Sequence, residues 1–330
     1  MTDFLQQSGW SNAARVPLAG DASARQYYRL TRPKTRQSAI LMDAPPASVG
    51  SMDTFVSVAG YLEQIGLSAP KIIDRDIKQG FLLLEDLGDS VFDRVITNYE
   101  QAEHELYEAA IDVIAHLHKY QNGALPLYGA GQMAEATDLA FLHYRAEPLG
   151  ELDGGANELI SDLRHRLSQL AGYSYVSLRD FHAQNLIWLP ERSGTARVGL
   201  LDFQDAVLTH PAYDLMSLLR DARRDVSPGL AGHLMERFCQ INGYNQTSFE
   251  AEAALISAQR NLRILGIFAR LSRLQGKTHY VDLIPRVWAN LQKDLAHPSL
   301  DMLKKALAHA LPSPTPDFLA KLREPCQTPQ

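Results

Sequence analysis

Asp180, Asn185 and Asp202 are the side chains of this 330-residue chain whose types and spacing could do chemistry together. The first two lie in Ser177-Leu-Arg-Asp-Phe-His-Ala-Gln-Asn185, and the third opens Asp202-Phe-Gln-Asp205, seventeen residues further on. A carboxylate such as Asp180 can accept the proton of an attacking hydroxyl. The amide oxygen of Asn185 and the carboxylate of Asp202 are hard donors of the kind that hold Mg²⁺ against phosphates. The set therefore fits phosphoryl transfer. A single D-x4-N pair arises by chance in many chains, so the weight falls on its surroundings: flanking apolar strands, a second carboxylate after an apolar strand, and a β-rich half upstream.

Those surroundings can be read as elements. Tyr175-Val-Ser-Leu178, Leu186-Ile-Trp-Leu189 and Val198-Gly-Leu-Leu201 are short apolar strand patterns, so the polar residues sit at strand ends and in a tight loop. Upstream, Arg15-Val-Pro-Leu-Ala19, Ala24-Arg-Gln-Tyr-Tyr-Arg-Leu30 and Gln37-Ser-Ala-Ile-Leu-Met42 predict three strands, with Gly20-Asp-Ala-Ser23 as a turn. A helix over 52–65, closed by Gly66, and strands at Lys71-Ile-Ile-Asp74 and Gly80-Phe-Leu-Leu-Leu84 complete a βββαββ order. Glu85-Asp-Leu-Gly-Asp89 leaves the last strand through a glycine, which suits a hinge. The remainder reads as helix over 99–121, 134–147, 155–171, 211–221, 229–242, 247–275, 280–294 and 299–310, followed by a Pro-rich tail of low structural content. The expected class is α+β. The boundaries are 1–88 for a β-rich lobe, 89–312 for a helical lobe with the catalytic and metal loops, and 313–330 for the tail.

Bulk properties narrow the function classes. The chain is 45% hydrophobic and 21% charged, with a net charge of −6, which argues against nucleic acid as a partner. No apolar run reaches the roughly 18–20 residues of a membrane span, and the N-terminus lacks the pattern of a signal peptide. Two distant cysteines, Cys239 and Cys326, suggest neither a metal site nor a disulfide framework, so a reducing cytoplasm is expected.

The D-x4-N loop followed by an apolar strand ending in Asp resembles the catalytic and metal loops of the protein-kinase-like fold, in its aminoglycoside phosphotransferase and choline kinase branch. The resemblance implies a bilobal architecture, with a small β-rich lobe containing one main helix and a larger helical lobe. It implies ATP and Mg²⁺ as cofactors, with Asp180 as catalytic base and Asn185 and Asp202 as metal ligands. There is no G-x4-G-K-[ST] and no G-x-G-x-x-G. Gly20 and Ser23 occupy the place of the phosphate-covering hairpin, although a plain turn reads equally from the residues. Glu85 and Leu87 stand in the nucleotide-binding hinge. Met42 replaces the usual third-strand lysine. Arg25 and Arg29 share a strand face with Tyr27 by period-2 alternation, and one of them is expected to supply the missing charge, Arg25 by preference. Glu63, at the place of the lysine's partner, reads as a surface charge. Asp214 would brace the catalytic loop structurally. Asp205 is open between a carboxylate that supports the metal ligands from behind, a substrate ligand and a helix-side cap.

A closer resemblance is carried by Gly20-Asp-Ala-Ser-Ala-Arg-Gln-Tyr-Tyr-Arg29, Met42-Asp-Ala-Pro-Pro46, Gly80-Phe-Leu-Leu-Leu-Glu-Asp-Leu-Gly88, Arg179 to Asn185, Leu201-Asp-Phe-Gln-Asp-Ala206 through Asp221-Ala-Arg-Arg-Asp225, Gln259-Arg-Asn-Leu-Arg263 and Gly266-Ile-Phe-Ala-Arg-Leu271. These segments are similar to bacterial N-acetylmuramate/N-acetylglucosamine kinases over residues from about 15 to 290. The resemblance implies transfer of the ATP γ-phosphate to the anomeric hydroxyl of an amino sugar in cell-wall recycling, with a small-molecule partner. Arg179, His182, Gln184, Asp205, Arg223, Arg224 and Arg263 are the candidate substrate residues. Arg223 and Arg224 could meet a lactyl carboxylate, or could simply neutralise Asp221 and Asp225. Phosphorylation of an aminoglycoside or choline-type hydroxyl, and a nucleotide-binding pseudokinase, are the alternatives.

Overall fold

A computed structural model describes residues 1–18, 25–46, 52–150, 156–227 and 229–325. Two compact units emerge, Met1–Val113 with Ala183–Ala206, and Ile114–His182 with Val207–Gln330. The expected boundary at 88/89 thus lies inside the first unit, which also takes in the segment after the catalytic loop.

In the first unit, strands β1 (Ala14–Leu18), β2 (Gln26–Thr31), β3 (Ser38–Asp43), β4 (Ile72–Asp76) and β5 (Phe81–Glu85) form an antiparallel sheet in the order β1-β2-β3-β5-β4. The alternation of these short apolar runs sets their register. Leu30 pairs with Ala39 and Leu41 with Leu83, so one face is apolar. That face joins Phe81 in a core closed by Phe4, from the N-terminal helix α1 (Thr2–Gln7), and by Trp10. The opposite face carries Tyr27 and Arg29, with Tyr27 opposite Met42 and Met42 opposite Leu82. Helix α2 (Asp53–Gln64) buries Phe55, Val58, Ala59 and Leu62, a 3–4 stripe. Glu63 lies off that stripe and is exposed. Helices α3 (Phe92–Asn98) and α4 (Glu103–Leu117) follow; α3 falls where no helix was expected.

The second unit holds α5 (Ala130–Glu135), a π-helical stretch at Ala140–Ala146, α6 (Ala156–Ser168), α7 (Ala212–Leu219), α8 (Leu230–Asn242), α9 (Gln246–Gln275), α10 (Ile284–Asp294), α11 (Asp301–Ala310) and α12 (Pro316–Arg323). Asn245 caps α9 by accepting from the Ser248 N–H at 3.1 Å, and Gly276 ends it at φ +67°. The tail corrects the sequence reading, because α12 is ordered structure. Thr315 Oγ1 accepts from the Phe318 N–H at 3.3 Å, Pro316 opens the first turn, and Phe318 and Leu322 are buried one turn apart.

Candidate active site

In the second unit, strand β6 (Tyr175–Ser177) pairs antiparallel with β9 (Val207–Thr209) and delivers the chain into the Asp180 loop. The loop is held by one carboxylate. Asp214, in the first turn of α7, accepts from the Ser177 hydroxyl at 2.6 Å, the Leu178 N–H at 2.7 Å and the Arg179 N–H at 3.0 Å. Burial pushes the Asp214 carboxyl up to about 6, although these donors and Arg260 favour its ionised form. The clamp bends the chain sharply. Arg179 takes φ +67°, and the Asp180 N–H donates to the Leu178 carbonyl at 2.8 Å, closing a three-residue turn. The Ser217 hydroxyl donates to the Arg179 carbonyl at 3.2 Å and accepts from Arg260 at 2.6 Å, fixing the other side of the same peptide. Asp180 emerges half-buried. Leu178 is buried. His182 is 7% exposed, and burial lowers its basicity against the opposing pull of Asp221.

In the first unit, β7 (Leu186–Trp188) and β8 (Val198–Leu200) form a hairpin with Leu186 opposite Leu200. The Leu201 N–H donates to the Asn185 carbonyl at 2.9 Å, extending that register by one pair. Asn185 therefore precedes one strand and Asp202 follows its partner, at the same end of the hairpin. Asp202 is exposed at φ +56°, and its Oδ1 accepts from Gln204 Nε2 at 2.8 Å. The next residue, Phe203, is buried against Phe55 of α2, with ring centroids 4.9 Å apart. Of the three non-glycine residues with positive φ among those described, Arg179 and Asp202 are two. Strain of this kind persists where the surrounding structure imposes it. An amide oxygen and a carboxylate at one hairpin end form an oxygen donor set that fits Mg²⁺.

The sheet face above carries the nucleotide-side candidates. Tyr27 has its phenol pushed up to about 12, by burial first and by the charge of Asp202, while Arg25 pulls it down. Arg25 and Asp202 thus both act on the ring that stands opposite Met42. Arg29 is engaged differently. It pairs with Asp86 at 2.8 Å and with Asp89 at 2.8 Å, tying β2 to the turn after β5. Arg25 instead lies beside the Tyr27 phenol, on the same strand face. The Glu85 carboxylate accepts from Arg192 at 2.6 Å, and Leu87 packs with Ile187 and Leu189. Gly20 and Ser23 lie outside the described residues. Gln184 is exposed and donates to Asp93 at 3.4 Å, and Asp205 is exposed.

In the second unit, Asp221 Oδ1 accepts from the Arg223 N–H at 2.8 Å, and Arg286 pairs with Asp225 at 3.1 Å. Asp225 thus has an arginine partner that the sequence reading overlooked. Arg192, Gln204 and Tyr128 were also overlooked. Gln204 was signalled by its place in Asp202-Phe-Gln-Asp205. Arg192 and Tyr128 lie in connecting segments whose composition carries no signal.

A five-stranded antiparallel sheet with one main helix, a helical unit, and Asp loops at strand ends define a protein-kinase-like fold. Solved structures agree. A choline kinase from Streptococcus pneumoniae matches with a TM-score of 0.62 at 15% identity, covering 87% of this chain and 96% of its own. An aminoglycoside phosphotransferase from Streptomyces rimosus matches with a TM-score of 0.54 at 18% identity, covering 80% and 94%. The model of the phosphotransferase enzyme family (APH) matches residues 15–249, and the chain belongs to that family. It is 38% identical to an N-acetylmuramate/N-acetylglucosamine kinase of Caulobacter vibrioides, over 91% of this chain and 93% of the relative. It is 32% identical to a kinase of the same name from Pseudomonas aeruginosa, over 93% of each.

Proposed function

We propose that this phosphotransferase is an ATP- and Mg²⁺-dependent amino-sugar kinase, acting on the anomeric hydroxyl of N-acetylmuramate or N-acetylglucosamine in the cytoplasm, within cell-wall recycling. What supports it above all is the Asp180 turn held by Asp214, in a chain 38% identical over 91% of its length to a kinase named for those sugars. Asp180 orients the sugar hydroxyl and takes its proton late in a loose transition state, as the hydroxyl oxygen bonds to the γ-phosphorus and the bond to ADP breaks. An anomeric hydroxyl is more acidic than an ordinary alcohol, so one carboxylate suffices at neutral pH. Asn185 and Asp202 would hold the metal, which when bound would neutralise charge on the phosphates. Arg25 supplies the cation that Met42 does not, and the Glu85–Leu87 backbone holds the base. Gln184 and Asp205 remain substrate-side candidates.

Incubation of the protein with ATP, Mg²⁺ and a sugar panel should yield ADP and a sugar 1-phosphate. Asp180→Ala should lower kcat by roughly 10²–10⁴-fold while ATP affinity stays near wild type. Turnover of choline or an aminoglycoside with none of the sugars would transfer the assignment to that acceptor class. ATP binding with no acceptor turned over would mark a pseudokinase.

A further inference from the structure

Arg260 of α9 is a cation buried beside the Asp180 turn, within the second unit, and it is only 5% exposed. Its Nη2 donates to the Ser217 hydroxyl of α7 at 2.6 Å, and that hydroxyl donates in turn to the Arg179 carbonyl at 3.2 Å. The guanidinium lies 6.0 Å from the centre of the Tyr213 ring, and Tyr213 meets Tyr128 edge to face at 5.8 Å. Rings therefore stand where water would otherwise solvate the charge.

Packing does not account for a cation at this position. Arg260 Nη1 is buried and lacks a hydrogen-bond partner among the described residues, so the guanidinium fork is incompletely used within the fold. Burying such a charge costs stability, and an apolar side chain of similar volume would fill the site at less cost. What the guanidinium meets is charge. Asp214 is faced by the Ser177 hydroxyl and the Leu178 and Arg179 N–H groups from the loop, and by Arg260 from α9. Burial raises the Asp214 carboxyl to about 6, and Arg260 is the charged group that draws it back toward the ionised form. The same cation acts on His182, together with Asp180 in the loop and Asp221 and Arg223 after α7. The two links of Arg260 meet at one residue. Asp214 accepts the Arg179 N–H at 3.0 Å, and Ser217 donates to the Arg179 carbonyl, whose carbon is bonded to the Asp180 nitrogen.

We propose that Arg260 is a positioning residue for phosphoryl transfer: its charge balances the Asp214 clamp on the N–H side of Arg179, and its Nη2 steadies the carbonyl side through Ser217. One guanidinium thus sets where Asp180 stands. The role rests on Asp180 being the base, as in the reading above, and Arg260 acts through the loop without touching the reacting atoms.

The test measures kcat and KM against pH with ATP, Mg²⁺ and N-acetylglucosamine, in the wild type, Arg260→Met, Arg260→Lys and Ser217→Ala. In the wild type kcat should fall as pH drops through about 6, where Asp214 takes up its proton. Arg260→Met loses both charge and tether. Its acid limb should move up by about one pH unit, the lower end of what a neighbouring opposite charge causes. Its plateau kcat should drop roughly tenfold, less than the 10²-fold of a full 1 Å displacement. Ser217→Ala loses only the tether, so its plateau should drop as far with the limb in place. Arg260→Lys keeps the charge without the planar fork and should return the limb to its wild-type position. KM should change little throughout. A limb that stays put in Arg260→Met, or that moves as far in Ser217→Ala or Arg260→Lys, overturns the role. Where Arg260→Met does not fold, the other two variants decide it by the position of their limbs. Protection of the Leu178 and Arg179 amides against hydrogen exchange, relative to free peptide, should follow the same limb in each protein, and protection flat in pH overturns the role. That readout needs no turnover. A wild type inactive on the sugar therefore sinks the amino-sugar reading, while the positioning role stands or falls on the amides.

Discussion

Asp214 holds the reactive turn at an electrostatic cost. Its three donors require an ionised acceptor, yet its burial favours the neutral acid and raises the group from the ordinary 3.8 to about 6. Between those values the folded protein holds more protons than the unfolded chain. The group's contribution to stability is therefore greatest in acid and is lost as pH rises through about 6. Asp214→Asn removes that titration. Relative to wild type, the variant should gain about 2 kcal/mol of stability between pH 4.5 and 7.5, read from urea midpoints. Activity should move the other way. An amide offers one acceptor oxygen to a clamp built for two, and a displacement near 1 Å of a reacting group costs roughly 10²-fold in rate. A variant with wild-type kcat, or with a stability difference flat in pH, would show that the clamp does not work as described. Asp214 was legible through the family resemblance, which implies a carboxylate bracing the catalytic loop. The sequence could not show the positive φ of Arg179 and Asp202, because such strain is imposed by partners distant in the chain.

Among elements, α9 is the one on which the helical unit is built. Its buried positions run all round the helix and include Gln259, Arg260 and Asn261, so it is a core helix rather than a surface one. Its length was legible from composition and caps. Its closest packing was not. Gly266 lies in the middle of this helix, and a Cβ there would stand 2.2 Å from the Leu139 carbonyl carbon and 2.5 Å from the Ala140 nitrogen. Backbone leading into the π-helical stretch cannot yield as a flexible side chain would. Gly266→Ala gains at most about 1 kcal/mol of helix propensity. Overpacking against backbone costs about 1–3 kcal/mol or more, so the variant should unfold at lower urea. A midpoint at or above wild type would mean that the two backbones separate without loss. The strands were legible for the opposite reason. In β2, β3 and β5 the alternation of apolar residues is local information, and cross-strand pairs such as Leu41 with Leu83 follow from it.

For the whole molecule, the division into units and the C-terminus are where reading along the chain fell short. A turn rich in charge and glycine at Glu85–Asp89 marks a break in local pattern, whereas a unit is defined by contacts between distant segments. Residues 183–206 accordingly join the first unit across a long stretch of intervening chain. The proline-rich run 312–316 likewise hid α12, because prolines that end one helix can open the next. That helix is tied down within the second unit. Phe318 and Leu322 are buried, Tyr144 donates to the Pro312 carbonyl at 2.7 Å, and its ring meets Phe318 edge to face at 5.0 Å. The Ser272 hydroxyl donates to the Leu322 carbonyl and Arg273 to the Lys321 carbonyl, both at 2.8 Å, so α9 is fastened to α12 at its C-terminal end. Two buried apolar side chains contribute roughly 3–6 kcal/mol. Ending the chain after Pro312 would also uncover the Ser272 hydroxyl and the Tyr144 ring. The truncated protein should therefore lose about 5–15 °C in the Tm of the transition that reports the helical unit. Its KM for ATP should stay near wild type, since the nucleotide-side candidates lie in the first unit. A truncation that melts with the full chain would return the tail to the role of a spacer.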